Sequence, residues 1–254
     1  MLRTIVLTVL LLVLFLTTGC ATSEAKPLNY QADDEIVVLA LGLGRSDWAM
    51  WRFAKRLENA NYKVCLLDYA TIGVSVASVL DETASQIDVC LQNAPKVHFV
   101  GHSLGGLVIR AYLQNHEEAL EAVNVGKVVL VGTPNKGSEL ADHYNDSWLM
   151  NLGGGISRAL VTGTRSLGNN LDAVDFTIGI IAGTKPLGLT NDRFNGPNDG
   201  LVSVESTKLE GMTDFITIDV GHSQMRYSEE VAKQTVHFLQ KGAFKGLINN
   251  VPGF

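Results

Sequence analysis

Hydrophobic positions fall in two alternating rhythms along most of the chain. Largely apolar runs of four to seven residues recur at Glu35 to Leu41 (EIVVLAL), Lys63 to Leu67, Val97 to Val100, Lys127 to Val131, Phe176 to Ile181 and Phe215 to Val220. Runs of that length predict strands buried on both faces. Between them lie helical stripes: Met50, Phe53, Ala54 and Leu57 at i, i+3, i+4 and i+7; Leu80, Ala84, Ile87 and Leu91; and a closing helix from Glu229 to Gln240. Strands without polar alternation, separated by amphipathic helices, predict an α/β fold with a mostly parallel sheet flanked by helices. In such a sheet ligands bind beyond the carboxyl ends of the strands.

One junction between the rhythms carries chemistry. The run Lys96-Val97-His98-Phe99-Val100 leads into GHSLGG, Gly101 to Gly106, and then into LVIRAYLQNH, in which Leu104, Leu107 and Ala111 share a helical face. Strand, sharp turn and helix project the Ser103 hydroxyl above the sheet, and Gly101 and Gly105 leave room where side chains would collide with neighbouring elements. Ser103 is the candidate nucleophile. It needs a base and a carboxylate to orient that base. Of six histidines, only His222 follows the last strand, in Val220-Gly221-His222-Ser223, where a loop can hang the ring over the sheet end. For the acid, Asp199 in GPNDGLV is preferred over Asp192 in the same loop and Asp175 at a strand start, because its glycine and asparagine neighbours permit a tight loop. Serine, aspartate, histidine is the chain order of the α/β-hydrolase triad. The oxyanion donors expected with it are the backbone N–H of Leu104, at a helix start, and of Leu43 in LGLGRS after the first strand. That loop lacks the third glycine of a dinucleotide fingerprint, because the position holds Asp47, and GTPNKGS lacks the lysine before the serine that a phosphate loop requires.

The chain resembles the bacterial esterase and triacylglycerol-lipase group of α/β hydrolases from about Glu35 to its end, through LGLGRSDWAM, HFVGHSLGGLVIRAYL, GTPNKGSELAD, NDGLVSVES and the late VGH. The resemblance implies a serine hydrolase acting on carboxylic esters. A thioesterase or transacylase would use the same residues, and a non-catalytic lipid-binding envelope protein is the rival of another class. In the group the first loop usually reads His-Gly, whereas here Leu41 precedes Gly42. Larger members often carry calcium near the histidine; after His222 comes Ser-Gln-Met-Arg without a carboxylate, so no metal and no cofactor are expected. The interval of about 138–174, with Trp148, Leu149, Met150 and Leu152 beside Gly153-Gly154-Gly155, implies a cap or lid over the serine. Whether it moves or is a fixed helix stays open.

The first residues form no part of the predicted domain. Arg3 precedes an apolar heart from Ile5 to Leu16, short for a membrane span and shaped like a secretory signal over residues 1–19. Thr17-Thr18-Gly19-Cys20 resembles a bacterial lipobox, which implies lipidation at Cys20, a tether over residues 20–34 and one domain over 35–254. The alternative is cleavage after Ala25 and a soluble periplasmic protein. The expected location is the bacterial envelope, with membrane contact through the lipid. The formal net charge of −6 argues against nucleic acid as a partner and leaves a small-molecule or lipid ester as the expected one. Cys65 and Cys90 could pair in an oxidising compartment, but two buried thiols are the preferred reading.

Overall fold

The computed structural model describes residues 29–43, 50–144, 155–156, 159–173, 175–186, 188 and 191–246. Six strands form one parallel sheet: β1 (Glu35–Ala40), β2 (Tyr62–Leu66), β3 (Val97–His102), β4 (Val125–Val131), β5 (Thr177–Gly183) and β6 (Asp214–Ile218), in the order β2-β1-β3-β4-β5-β6. The helices between them are α1 (Trp51–Glu58), α2 (Val76–Leu91), α3 (Leu104–Asn115), α4 (Glu117–Glu121), α5 (Glu139–Tyr144), α6 (Val204–Thr207) and α7 (Glu229–Lys241). All six predicted strands form, within one or two residues of the apolar runs. The short helices α4, α5 and α6 were not predicted, because four to six residues give no readable stripe.

The central strands are apolar throughout because both faces are covered: β3 is buried at every position, and β1 at every position after Glu35. The strand order also places the site. The chain leaves β1 toward β2 on one side and leaves β3 toward β4 on the other, so the loops after β1 and β3 diverge and open a crevice at the carboxyl ends of these two neighbours. Ser103 and the loop of Gly42 and Leu43 stand there.

Cys65 on β2 and Cys90 on α2 form a disulfide, with Cα atoms 6.0 Å apart. This corrects the preference for two free thiols. The pairing follows from where the last turn of α2, which packs on α3, comes to lie beside the edge strand, and chain spacing alone does not reveal that approach. In the chain-entropy account, closing a loop of this length stabilises the fold by roughly 3–4 kcal/mol.

At the opposite end of the sheet His98, fully buried in β3, accepts a hydrogen bond at Nδ1 from the Lys127 N–H (2.9 Å) and donates from Nε2 to Glu35 (3.0 Å). Burial holds its pKa below the ordinary 6.5. Burial would raise the Glu35 carboxyl, but hydrogen bonds from Lys96 and His98 outweigh it and hold the group below 4.5. Both shifts act in one direction. The unfolded chain binds protons that the native state resists, so stability is complete above about pH 6.5 and falls as pH drops through the unfolded values. The urea midpoint should therefore decrease from pH 7 to pH 5.5, and His98→Asn should flatten that slope; a parent midpoint constant over this range would contradict the assignment.

Candidate active site

Ser103 occupies the turn between β3 and α3 with φ 57° and ψ −126°, a conformation that costs a non-glycine residue on the order of 1–3 kcal/mol. The turn is tight enough to need its glycines. A Cβ on Gly101 would come within 2.5 Å of the Gly106 backbone, and one on Gly105 would press into the Ala40 carbonyl of β1. The helix begins at Leu104, whose N–H, in the first turn, has no carbonyl partner within the helix.

The structure brings Asp199, His222 and Ser103 into line. Ser103 Oγ lies 2.9 Å from His222 Nε2, and His222 Nδ1 lies 2.7 Å from Asp199 Oδ2. All three are buried, Asp199 at 1% exposure. The second Asp199 oxygen accepts the N–H groups of Leu201 (2.9 Å) and Val202 (2.7 Å), so its own loop fixes the carboxylate. The rivals stand elsewhere: Asp192 is 73% exposed and pairs loosely with Arg193 at 3.7 Å, and Asp175 is exposed just before β5, at the amino end of the sheet. Of the other histidines, His98 lies in β3 at the amino end of the sheet, His116 lies between α3 and α4, His143 sits on α5, and His237 on α7.

The loop after β1 sits against the nucleophile. A Cβ on Gly42 would lie 2.9 Å from Ser103 Cβ, so only glycine permits this approach. Leu41, which stands where the resembled group usually has a histidine, is fully buried, and its carbonyl accepts the Tyr69 hydroxyl at 2.5 Å. This bond anchors the loop where the histidine is missing. Leu43 lines the cavity beside Ser103, while residues 44–49 lie outside the described residues.

The motifs GTPNKGSELAD and NDGLVSVES bind each other. The Lys136 N–H donates to the Ser206 carbonyl (3.0 Å), the Asn135 amide to the Thr207 carbonyl (2.7 Å), the Ser138 hydroxyl to the Leu201 carbonyl (2.6 Å), and the Ser203 hydroxyl to Glu139 (2.6 Å). The first loop is thus the frame that holds the acid loop. Arg110 of α3, missed from sequence because a helical arginine reads as exposed, is 1% exposed and donates to Asn135 and to the carbonyls of Gly168 and Leu171. Burial lowers its pKa to about 10.

Those contacts bear on the expected cap. Its described part is packed down: Ile156 is fully buried, the Leu160 carbonyl accepts the Ser138 N–H at 2.8 Å, and Thr162 is bonded through its N–H and hydroxyl to Asp142. Trp148, Leu149, Met150, Leu152, Gly153 and Gly154 lie outside the described residues.

A cavity of about 230 Å³ opens beside Ser103, with Pro134, Leu140, Ala141, Leu160, Leu201 and Val202 among its walls. A larger open groove of about 980 Å³ lies at the amino end of the sheet between α2, α3 and α4, where no serine or cysteine faces a histidine.

Fold and strand order define an α/β-hydrolase fold. Residues 44–185 match the family described as "Domain of unknown function (DUF7379)", more than half of the chain, and the protein belongs to that family. Among solved structures it is similar to the mature lipase BlEst2 of Bacillus licheniformis, with 22% identity, a TM-score of 0.65 and coverage of 85% of this chain and 95% of that one. It is also similar to a metagenomic carboxyl esterase, at 18% identity and TM-score 0.56, over 81% of this chain and 70% of the other. A stretch of 102 residues is 30% identical to Methylesterase 8 of Arabidopsis thaliana, covering 37% of this chain. That stretch spans about a third (35%) of the length of the curated relative.

Proposed function

We propose that this protein is a serine hydrolase that cleaves carboxylic esters through an acyl-enzyme. The observation that carries the reading is the buried relay from Asp199 through His222 to Ser103, with hydrogen-bonding distances at both links. In this reading His222 Nε2 takes the Ser103 proton as Oγ attacks the carbonyl carbon. The resulting oxyanion accepts the N–H groups of Leu104 and Leu43, each such donor being worth about 10²–10³ in turnover. His222 then gives its proton to the departing alkoxide. Water enters, His222 deprotonates it, and the same steps release the acid and restore Ser103. Asp199 keeps the proton on Nδ1 and stabilises the imidazolium formed twice per cycle. The similar proteins, a lipase, a carboxyl esterase and a methylesterase, are consistent with this chemistry.

The cavity narrows the substrate. At about 230 Å³, with Leu140, Ala141, Leu160, Leu201 and Val202 in its walls, it favours a short uncharged chain. Across p-nitrophenyl esters from acetate to palmitate, kcat/KM should peak at or below about eight acyl carbons, and Leu160→Ala should move the optimum to longer chains, by an amount set by the methylenes admitted. Hydrolysis undiminished at sixteen carbons would refute the size limit, and no hydrolysis of any ester would refute the function.

We also propose that the chain works at the bacterial envelope, tethered by lipid at Cys20. The Cys65–Cys90 disulfide supports an oxidising compartment. In fractionation, Cys20→Ala should release the protein from the membrane fraction; unchanged membrane association would rule out the anchor.

A further inference from the structure

His222 reaches its place from far away. It follows β6 at the edge of the sheet, whereas Ser103 follows β3, and the two strands are separated by β4 and β5. At about 4.8 Å per strand the His222 loop must return over about 14 Å of sheet before its ring meets the serine. Its Nε2 to Ser103 distance of 2.9 Å therefore depends on what catches the loop at its destination.

Asp199 catches one side. Its carbonyl accepts the His222 backbone N–H at 2.9 Å, and its carboxylate holds the ring. The other side is caught by His102, the residue immediately before the nucleophile. Its Nε2 lies 3.1 Å from the His222 carbonyl oxygen, an atom that only accepts, so Nε2 carries the proton and donates. The two imidazole rings also touch, with centroids 4.9 Å apart and planes at 44°. His102 is 4% exposed, and a Cβ on Gly42 would lie 3.3 Å from its Nδ1. The ring is therefore wedged between the loop after β1, the serine turn and the His222 loop.

We propose that His102 is a positioning residue: through its Nε2–H bond to the His222 carbonyl it locks the loop bearing the base onto the strand bearing the nucleophile. This inference rests on the reading of Ser103 and His222 as nucleophile and base. It adds a requirement for one hydrogen-bond donor at the position that varies in a G-x-S-x-G turn. Because the bond reaches the base's backbone, its loss should fall on kcat far more than on KM, although the ring also forms part of the cavity wall.

The test compares His102→Ala, His102→Gln and His102→Phe with the parent, measuring kcat, KM, thermal midpoint and the rate of fluorophosphonate labelling of Ser103. A glutamine side chain places an amide N–H near the position of Nε2, whereas phenylalanine keeps a ring without a donor. The expected result is a kcat loss on the order of 10²-fold in the alanine and phenylalanine variants at KM within about twofold, with recovery to within about fivefold of parent in the glutamine variant. Labelling should follow kcat, since phosphonylation draws on the same base. Parental kcat in His102→Ala overturns the proposal. So does activity restored by phenylalanine and not by glutamine, or a kcat loss that tracks the thermal midpoint across all three. Failure of the hydrolase reading itself is distinguishable, since the parent would then neither turn over esters nor label at Ser103.

Discussion

Ser103→Ala should lower ester turnover on the order of a millionfold and abolish fluorophosphonate labelling, the scale of loss when a nucleophile that works as a unit with its base is removed. What remains is catalysis by the oxyanion donors and by binding. The substitution keeps the Cβ and its strained φ of 57°, so the thermal midpoint should stay close to the parent's. Ser103→Gly should be equally inactive yet more stable, because glycine enters positive φ without the Cβ penalty. Together the two variants separate the chemistry of the hydroxyl from the strain that presents it. Persistent labelling in Ser103→Ala would place the reactive group elsewhere. An unlabelled parent that hydrolyses no ester would favour a protein that binds lipid without cleaving it.

The parts of this site legible in the sequence are those set by local sterics. The β3–Ser103–α3 turn announces itself because Gly101 faces the Gly106 backbone within the turn and Gly105 faces the Ala40 carbonyl of the neighbouring strand; neither place tolerates a Cβ, so both glycines appear inside one five-residue motif. The four inner strands were legible because burial on both faces removes polar residues from them, whereas the half-buried edge strands β2 and β6 were legible only as shorter, less purely apolar runs. Asp199 could be separated from Asp192 by its Asn and Gly neighbours, since the turn that folds the Leu201 and Val202 N–H groups onto its carboxylate needs such residues. Illegible were the features made by distant segments meeting. The Cys65–Cys90 bond depends on where the last turn of α2 ends beside β2, Arg110 is buried by carbonyls about sixty residues further on, and Tyr69 supplies the bond that anchors the loop at Leu41. His102 belongs with these. Sequence position alone makes it the variable residue of a turn, and the return of the His222 loop gives its Nε2 the carbonyl it binds.

Asp199→Asn should lower kcat by about 10⁴, and the hydrogen bonds of its loop say why. In the parent, one carboxylate oxygen accepts from the Leu201 and Val202 N–H groups and the other accepts from His222 Nδ1–H. An asparagine at this position has one oxygen, and two backbone donors claim it. Its amide N–H₂ must then face His222. Presented with a donor, the ring turns Nδ1 into an acceptor and carries its proton on Nε2, the atom that has to receive the proton of Ser103. The geometry survives and the tautomer is wrong, so substrate binding should change little while the chemical step fails. Asp192→Asn is the control: that carboxylate is largely solvated and pairs loosely with Arg193, so its turnover should remain close to the parent's. Measuring kcat and KM for the two variants side by side decides the acid. If Asp192→Asn is the dead enzyme, Asp199 is misassigned; if both keep parental turnover, neither aspartate orients the base.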